Sequence, residues 1–306
     1  MTQLDPISSD WLALREHADD RARQGTTPTL LAALARSVAD AGPAGPPLLC
    51  VDLGTGTGAN PRWLMPRLSV PQTWLLVDHD EDLLAELTTR LSAETVPWEP
   101  VVSDVAHLAG VLTRHRLPGQ PVLLTCAALL DLLDRDTVED IARILRDEAA
   151  HGLFSLTVDG GGDLTPPAPL DDAVQAAFDA HQQRHGHLGP EAVAALRQAL
   201  DTAGGDGTAV TVRQTDWELD AADPQDRALI ERLLRDRVAA VRDQLAGQDG
   251  YPGQDRDAGG TEPSAPEPRL TTPDVEAWLA DRLESAHRGV LRVRVGHQDV
   301  LVTPGH

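Results

Sequence analysis

Apolar and polar positions follow two different periods along the chain. Five short apolar runs are bounded by Pro, Gly or acidic residues: "LLCVDLG" from Leu48, "TWLLVD" from Thr73, "WEPVVSDV" from Trp98, "QPVLLTC" from Gln120 and "LFSLTVDG" from Leu153. Runs of that length with such borders predict buried strands. Between them lie "GANPRWLMPRL", "EDLLAELTTRLS", "LAGVLTRHRL" and "DRDTVEDIARILRDEAAHG", whose apolar residues recur at helical spacing. Strand and helix thus alternate, which predicts an α/β fold: a mostly parallel sheet with helices on both faces. Ahead of the first strand, residues 9–42 read as helices, "SSDWLALREHADDRARQ" and then "TPTLLAALARSVADAG", the second opening on Thr-Pro and stopping at Gly42.

The rhythm breaks after the fifth strand. "GGGDLTPPAPLDD" reads as loop, and "AVQAAFDAHQQRHG" and "PEAVAALRQALDTAG" as helices. "TAVTVRQTDWEL" alternates like one strand, and "PQDRALIERLLRDRVAAVRDQLAG" is strongly amphipathic. Residues 247–268 are rich in Gly, Pro and Asp and predict a flexible loop. "TPDVEAWLADRLES" reads as a last helix, and "RGVLRVRVGHQDVLVTP" as two alternating runs around Gly296 and His297. The expected organisation is one domain over residues 1–306: a helical cap at 9–42, a core at 48–160, an insertion at 161–205 and C-terminal strands and helices at 206–306.

Composition narrows the function classes. The net charge is −22 with a pI near 4.7, which disfavours nucleic acid and anionic membrane surfaces as partners. Every basic residue other than His is Arg, a bias of the kind a GC-rich bacterial genome imposes. Cys50 and Cys126 lie in apolar runs and read as buried reduced thiols. No leader-like segment or long apolar span is legible, so the expectation is a cytoplasmic protein, with a homodimer left open.

The stretch from Asp52 to Gly58, "DLGTGTG", carries the chemistry. Gly54, Gly56 and Ala59 satisfy the dinucleotide pattern G-x-G-x-x-A, a weak signal by itself. Asp52 stands two residues before the first glycine. An acid there would repel a pyrophosphate and attract a cation, a difference of about 4 kcal/mol for a pair at ~4 Å and an effective dielectric of ~20. The stretch resembles motif I of the class I S-adenosylmethionine-dependent methyltransferases. Three further marks fit the resemblance: Asp78 closing the second strand, Asp104 in "VVSDV", and "VLLTCAALLDLL" at the fourth strand. It covers residues 30–160 firmly, and the terminal strands less specifically.

The resemblance implies a Rossmann-like seven-strand sheet with its last strand antiparallel, an N-terminal helical lid and a helical insertion after strand five. It implies S-adenosyl-L-methionine as cofactor, S-adenosyl-L-homocysteine as product and a small-molecule substrate methylated on O, N or C. Cofactor contacts would come from Gly54, Thr55, Gly56, Gly58 and Asn60 of the loop, with Asp52 near the cationic groups. Asp78 and His79 would meet the ribose, and Ser103, Asp104 and Val105 the adenine, with Cys126 at the fourth strand. Arg15 and Arg23, two turns apart on one helical face, could clamp the cofactor carboxylate or stand solvated among Asp19 and Asp20.

Methyl transfer needs alignment, water exclusion and sometimes a base. His181 and Asp131 are the candidate bases, and Phe178, His181 and His185 the candidate substrate contacts. His181 and His185 share a face, so a plain polar helix end and a metal pair completed by Asp179 stay open beside the pocket reading; no metal is expected. Two other classes also remain: an NAD(P)-dependent oxidoreductase on a similar sheet, and a non-catalytic binding or regulatory module that kept the fold.

Overall fold

A computed structural model describes residues 7–40, 45–184, 186–202, 207–249 and 270–305. The chain divides into two compact units. The first comprises residues up to Gly161, Gly186–Glu218 and Val295 onward; the second comprises Gly162–His185 and Leu219–Arg294.

The first unit is built on the expected sheet. The strands are β1 (Leu48–Leu53), β2 (Gln72–Asp78), β3 (Trp98–Val102), β4 (Val122–Ala127), β5 (His151–Thr165), β6 (Ala209–Gln214) and β8 (Arg292–Thr303), in the order β3-β2-β1-β4-β5-β8-β6, with residues 162–165 of β5 and 292–294 of β8 counted in the second unit. A short β7 (Trp217–Asp220) pairs β8 off that path. β1 runs parallel to β2 and β4, β2 to β3, and β4 to β5, while β6 and β8 pair antiparallel. Crossover helices supply the parallel pairings: α2 (Ala59–Leu64), α3 (Glu81–Arg90), α4 (Leu108–His115) and α5 (Arg135–Asp147). Asp80 and Asp134 cap α3 and α5 through their side chains.

Every residue of β1 is buried, as a central parallel strand requires. Leu49, Val51 and Leu53 pack with α4, α5 and α7 (Ala192–Thr202) on one face. Leu48 and Cys50 pack on the other with Leu30, Leu31 and Leu34 of α1 (Ser9–Asp40) and with Leu84 and Leu87 of α3. Both cysteines are buried and reduced, as expected.

Four sequence expectations are corrected. The two N-terminal helices are one helix, α1, with Pro28 inside it. Pro28 lacks an N–H for the Gln24 carbonyl, but Gln24 and Pro28 are exposed, so water can take that carbonyl. β5 runs on through its glycines to Thr165 where a loop was expected. β8 is one strand where two runs were expected: a Cβ on Gly296 would stand 2.0 Å from Asp159 Oδ1, so this glycine admits a close neighbour and makes no turn. The expected single strand at 208–219 divides into β6 and β7: the Thr215 amide still bonds the His297 carbonyl, but the His297 amide turns to the Asp216 side chain at 3.1 Å in place of a backbone carbonyl.

The second unit holds α6 (Asp171–Arg184), α8 (Pro224–Asp249) and α9 (Thr272–His287), with α6 and α9 each packed on α8. Arg282, 1% exposed, pairs with Asp171 and donates to the Pro166 carbonyl. The Trp278 indole donates to the same Asp171. The flexible loop expected at 247–268 lies outside the described residues from 250 onward. Among the described residues, no helix is long and apolar enough to cross a membrane.

Candidate functional site

The glycine loop sits where β1 ends, at the C-terminal edge of the parallel strands. There an open α/β sheet offers a crevice between diverging connections. Gly54, Gly56 and Gly58 all have positive φ, at 59°, 54° and 83°. A Cβ on Gly54 would meet a Leu129 methyl at 3.0 Å and one on Gly56 a Leu12 methyl at 2.9 Å, so a side chain would have to displace those leucine ends, and the positive φ is the firmer reason for glycine. The Thr55 amide donates to the Val77 carbonyl and ties the loop to β2.

Asp78, at the end of β2, holds that loop. Its Oδ2 accepts the Gly56 amide at 2.8 Å and its Oδ1 accepts the Asp80 amide at 3.0 Å. Each oxygen keeps a lone pair after those bonds. His79 Nδ1 lies 3.4 Å from Asp78 Oδ1.

A cavity of about 520 Å³ opens over this loop, entirely within the first unit. Gly54, Thr55, Gly56 and Asn60 form one wall, and Asp78 and His79 another. Ser103, Asp104 and Val105 line it after β3, where exposed Asp104 also accepts the Ala106 amide at 2.8 Å and so caps the following turn. Arg15 lines it from α1.

Five predicted residues of this unit lie elsewhere. Asp52 is fully buried beneath the loop: its Oδ1 accepts the Asn60 amide at 2.5 Å, and Asn60 Oδ1 in turn accepts Arg23 Nη2 at 2.9 Å. Burial pushes the Asp52 carboxyl up to about 7, against the pull of Asn60 and Arg23. Arg23 is therefore no clamp at the cavity wall. It is buried over the Trp63 ring at 3.9 Å and braces Asn60 from below. Gly58 backs onto Leu87 at the start of α2, and Cys126 is buried, its thiol raised by burial and by Asp52.

Asp131 is the fifth. It sits in the turn at Leu130–Leu132, whose neighbours Leu129, Leu132 and Leu133 line the cavity. The side chain itself is buried, and Oδ1 has no hydrogen-bond partner among the described residues. Burial lifts its carboxyl to about 6, with the Arg15 charge opposing. The preceding Ala128 has φ 53°, a strained value for a residue with a Cβ.

Phe178 and His181 belong to α6 of the second unit, and neither lines the cavity. The Phe178 ring carries the Arg237 guanidinium at 5.4 Å, and His181 Nε2 lies 3.3 Å from Asp243 Oδ2. His185 lies outside the described residues.

Sequence reasoning missed Asp19 and Leu12 as cavity lining, while Ala127–Leu129 lie in the strand-four segment the resemblance pointed to. The Arg15/Asp19 spacing of four was the available signal for Asp19.

No protein-family model matches the chain, and no curated protein matches it. Solved structures do resemble it. The cyclopropane synthase MmaA2 from Mycobacterium tuberculosis aligns at 11% identity and a TM-score of 0.40, over 89% of this chain and 83% of that one. The YcgJ protein from Bacillus subtilis aligns at 13% identity and 0.42, over 91% and 99%. The plantazolicin methyltransferase BpumL, solved in complex with SAH, aligns at 10% identity and 0.41, over 97% and 91%. At such identities and scores these likenesses carry no weight for function.

Proposed function

We propose that the cavity of the first unit binds S-adenosyl-L-methionine and that the protein is a methyltransferase acting on O, N or C of a small molecule. The observation that carries this reading is Asp78. Its carboxylate is braced by the Gly56 and Asp80 amides at the cavity wall, with an acceptor position left on each oxygen for a pair of ribose hydroxyls. The residues fit that ligand in two further ways. A Cβ on Gly54 or Gly56 would fill the space where backbone approaches the cavity, and the volume is within the range of small-molecule sites.

Bound there, the cofactor would supply an activated methyl group on a sulfonium. The chain's own part is then to hold, orient and dehydrate. Asp78 and the loop amides would fix the nucleoside end, Ser103 and Asp104 would stand beside the adenine position, and Leu129, Leu132 and Leu133 add apolar lining that helps exclude water. For a proton released by the methyl acceptor, the reading assigns Asp131 ahead of His181. Asp131 belongs to the turn whose neighbours line the cavity, and its Oδ1 has no hydrogen-bond partner among the described residues, whereas His181 lies in the second unit beside Asp243.

Calorimetric titration of S-adenosylhomocysteine into the wild type and Asp78→Ala tests the assignment. Losing a charged acceptor of two hydroxyls, worth at most ~1.5–3 kcal/mol each, should weaken binding by about tenfold or more in a folded variant. Equal affinity in the two proteins would remove Asp78 from the site.

A further inference from the structure

Arg15 and Asp19, four residues apart on α1, both line the cavity. Arg15 Nε donates to Asp19 Oδ2 at 2.9 Å and Nη2 donates to Oδ1 at 3.1 Å, with side chains only 12% and 15% exposed. Two near-parallel bonds from a guanidinium edge are the geometry by which Arg holds a free carboxylate. Asp19 has a second anchor as well: the Trp217 indole donates to its Oδ1 at 3.0 Å, and the Arg15 guanidinium lies over that same ring at 4.9 Å.

Place in the sheet gives this fork a direction. Asp78 and Ser103 follow β2 and β3 at one edge of the sheet order. Arg15 lies over the Trp217 ring of β7, and that ring packs on His297 of β8 at 4.8 Å, toward the other edge. The fork therefore stands at the end of the cavity away from the nucleoside position assigned above. An ordinary i, i+4 surface pair has neither a cavity in front of it nor an indole N–H behind it.

The family resemblance already offers Arg15 as a holder of the cofactor carboxylate; we infer that Asp19 is a built-in occupant of that guanidinium edge. An incoming ligand carboxylate takes the guanidinium edge, and Asp19 remains on the Trp217 indole. The exchange leaves Asp19 without its cation beside a second negative group, so Asp19 holds down the affinity for such ligands. The inference rests on the methyl-donor reading. The carboxylate has two possible sources, the amino-acid tail of the cofactor or the methyl acceptor, and the recognition chemistry is the same for both.

The test is calorimetry on the full chain, wild type, Asp19→Asn, Arg15→Gln and the double variant. The probes are S-adenosylhomocysteine and 5′-methylthioadenosine, which keeps the nucleoside and thioether and lacks the tail. Asparagine keeps an acceptor for the indole and removes the competing charge. Asp19→Asn should bind S-adenosylhomocysteine about tenfold more tightly, a typical size for one coupled contact. Its affinity for methylthioadenosine should be unchanged, which also checks that the variant is folded. Arg15→Gln should lose affinity for S-adenosylhomocysteine alone, and adding Asp19→Asn to it should restore nothing. That pattern assigns the carboxylate to the cofactor. If S-adenosylhomocysteine binding is the same in Asp19→Asn while the cofactor-saturated variant binds benzoate about tenfold more tightly than the wild type does, the subsite serves the acceptor. If neither changes in a protein that binds methylthioadenosine normally, the inference is overturned. If the wild type binds neither nucleoside, the methyl-donor reading falls and takes the inference with it.

Discussion

Asp52 has no solvent exposure, and its carboxyl sits at about 7 instead of its usual 3.8 because burial penalises the charge. The folded protein thus holds this proton more tightly than the unfolded chain does. The resulting stabilisation is fully present below pH 4 and is lost as pH rises through 7. Asp52→Asn keeps a polar group of the same shape and cannot ionise. Its stability relative to the wild type should therefore climb between pH 4 and pH 8, by no more than about 4 kcal/mol at ~1.4 kcal/mol per unit. Urea unfolding at a series of pH values measures this; a relative stability that falls over that range would contradict it. The site was legible at this scale where backbone conformation dictates residue type. Gly54 and Gly56 need positive φ and no Cβ, and Asp78 must end a strand beside them. Which way a side chain points was not legible. Asp52 turns under the loop to Asn60, and Arg23 turns inward to the same Asn60, because the buried partners decide and sequence spacing does not show them.

At the scale of elements, α1 is held on the first unit by a buried carboxylate. Asp299 of β8 accepts Thr27 Oγ1 at 2.6 Å, the Leu156 amide at 2.9 Å and Thr215 Oγ1 at 3.1 Å, and so joins α1, β5 and the turn after β6. Thr27 and Asp299 have no solvent exposure, so no water can replace a lost donor without rearrangement. Thr27→Val keeps the shape and removes one bond to a carboxylate, which should lower the unfolding free energy by about 1.5–3 kcal/mol. Chemical denaturation checks it, and a change within about 0.5 kcal/mol would show that the hub tolerates the loss. This hub was invisible in the sequence, because its members are separated by 272, 143 and 84 residues. The period of the parallel strands was legible because burial on both faces makes them continuous apolar runs. Element ends governed by glycine or proline were not. Pro28 looks like a break until its exposed side of α1 is known, and Gly296 looks like a turn until Asp159 is found against it.

At the scale of the molecule, the two units place the candidate chemistry unevenly. The cavity, the glycine loop, Asp78, Asp131 and the Arg15–Asp19 fork belong to the first unit. Phe178 and His181 belong to the second, with its own buried Arg282–Asp171 pair. The sequence showed that the strand–helix rhythm stops after β5, and it could not show that α6 packs on α8, some fifty residues further along. The central claim is that the cavity is built for a methyl donor, although the loop also satisfies a dinucleotide pattern. One measurement separates the two: calorimetric titration of the wild-type chain with S-adenosylhomocysteine and, separately, with NADH. Asp78 could hold a ribose of either ligand, whereas the methyl-donor reading as a whole predicts micromolar binding of S-adenosylhomocysteine and none of NADH. Binding of NADH with no heat from S-adenosylhomocysteine would contradict the account.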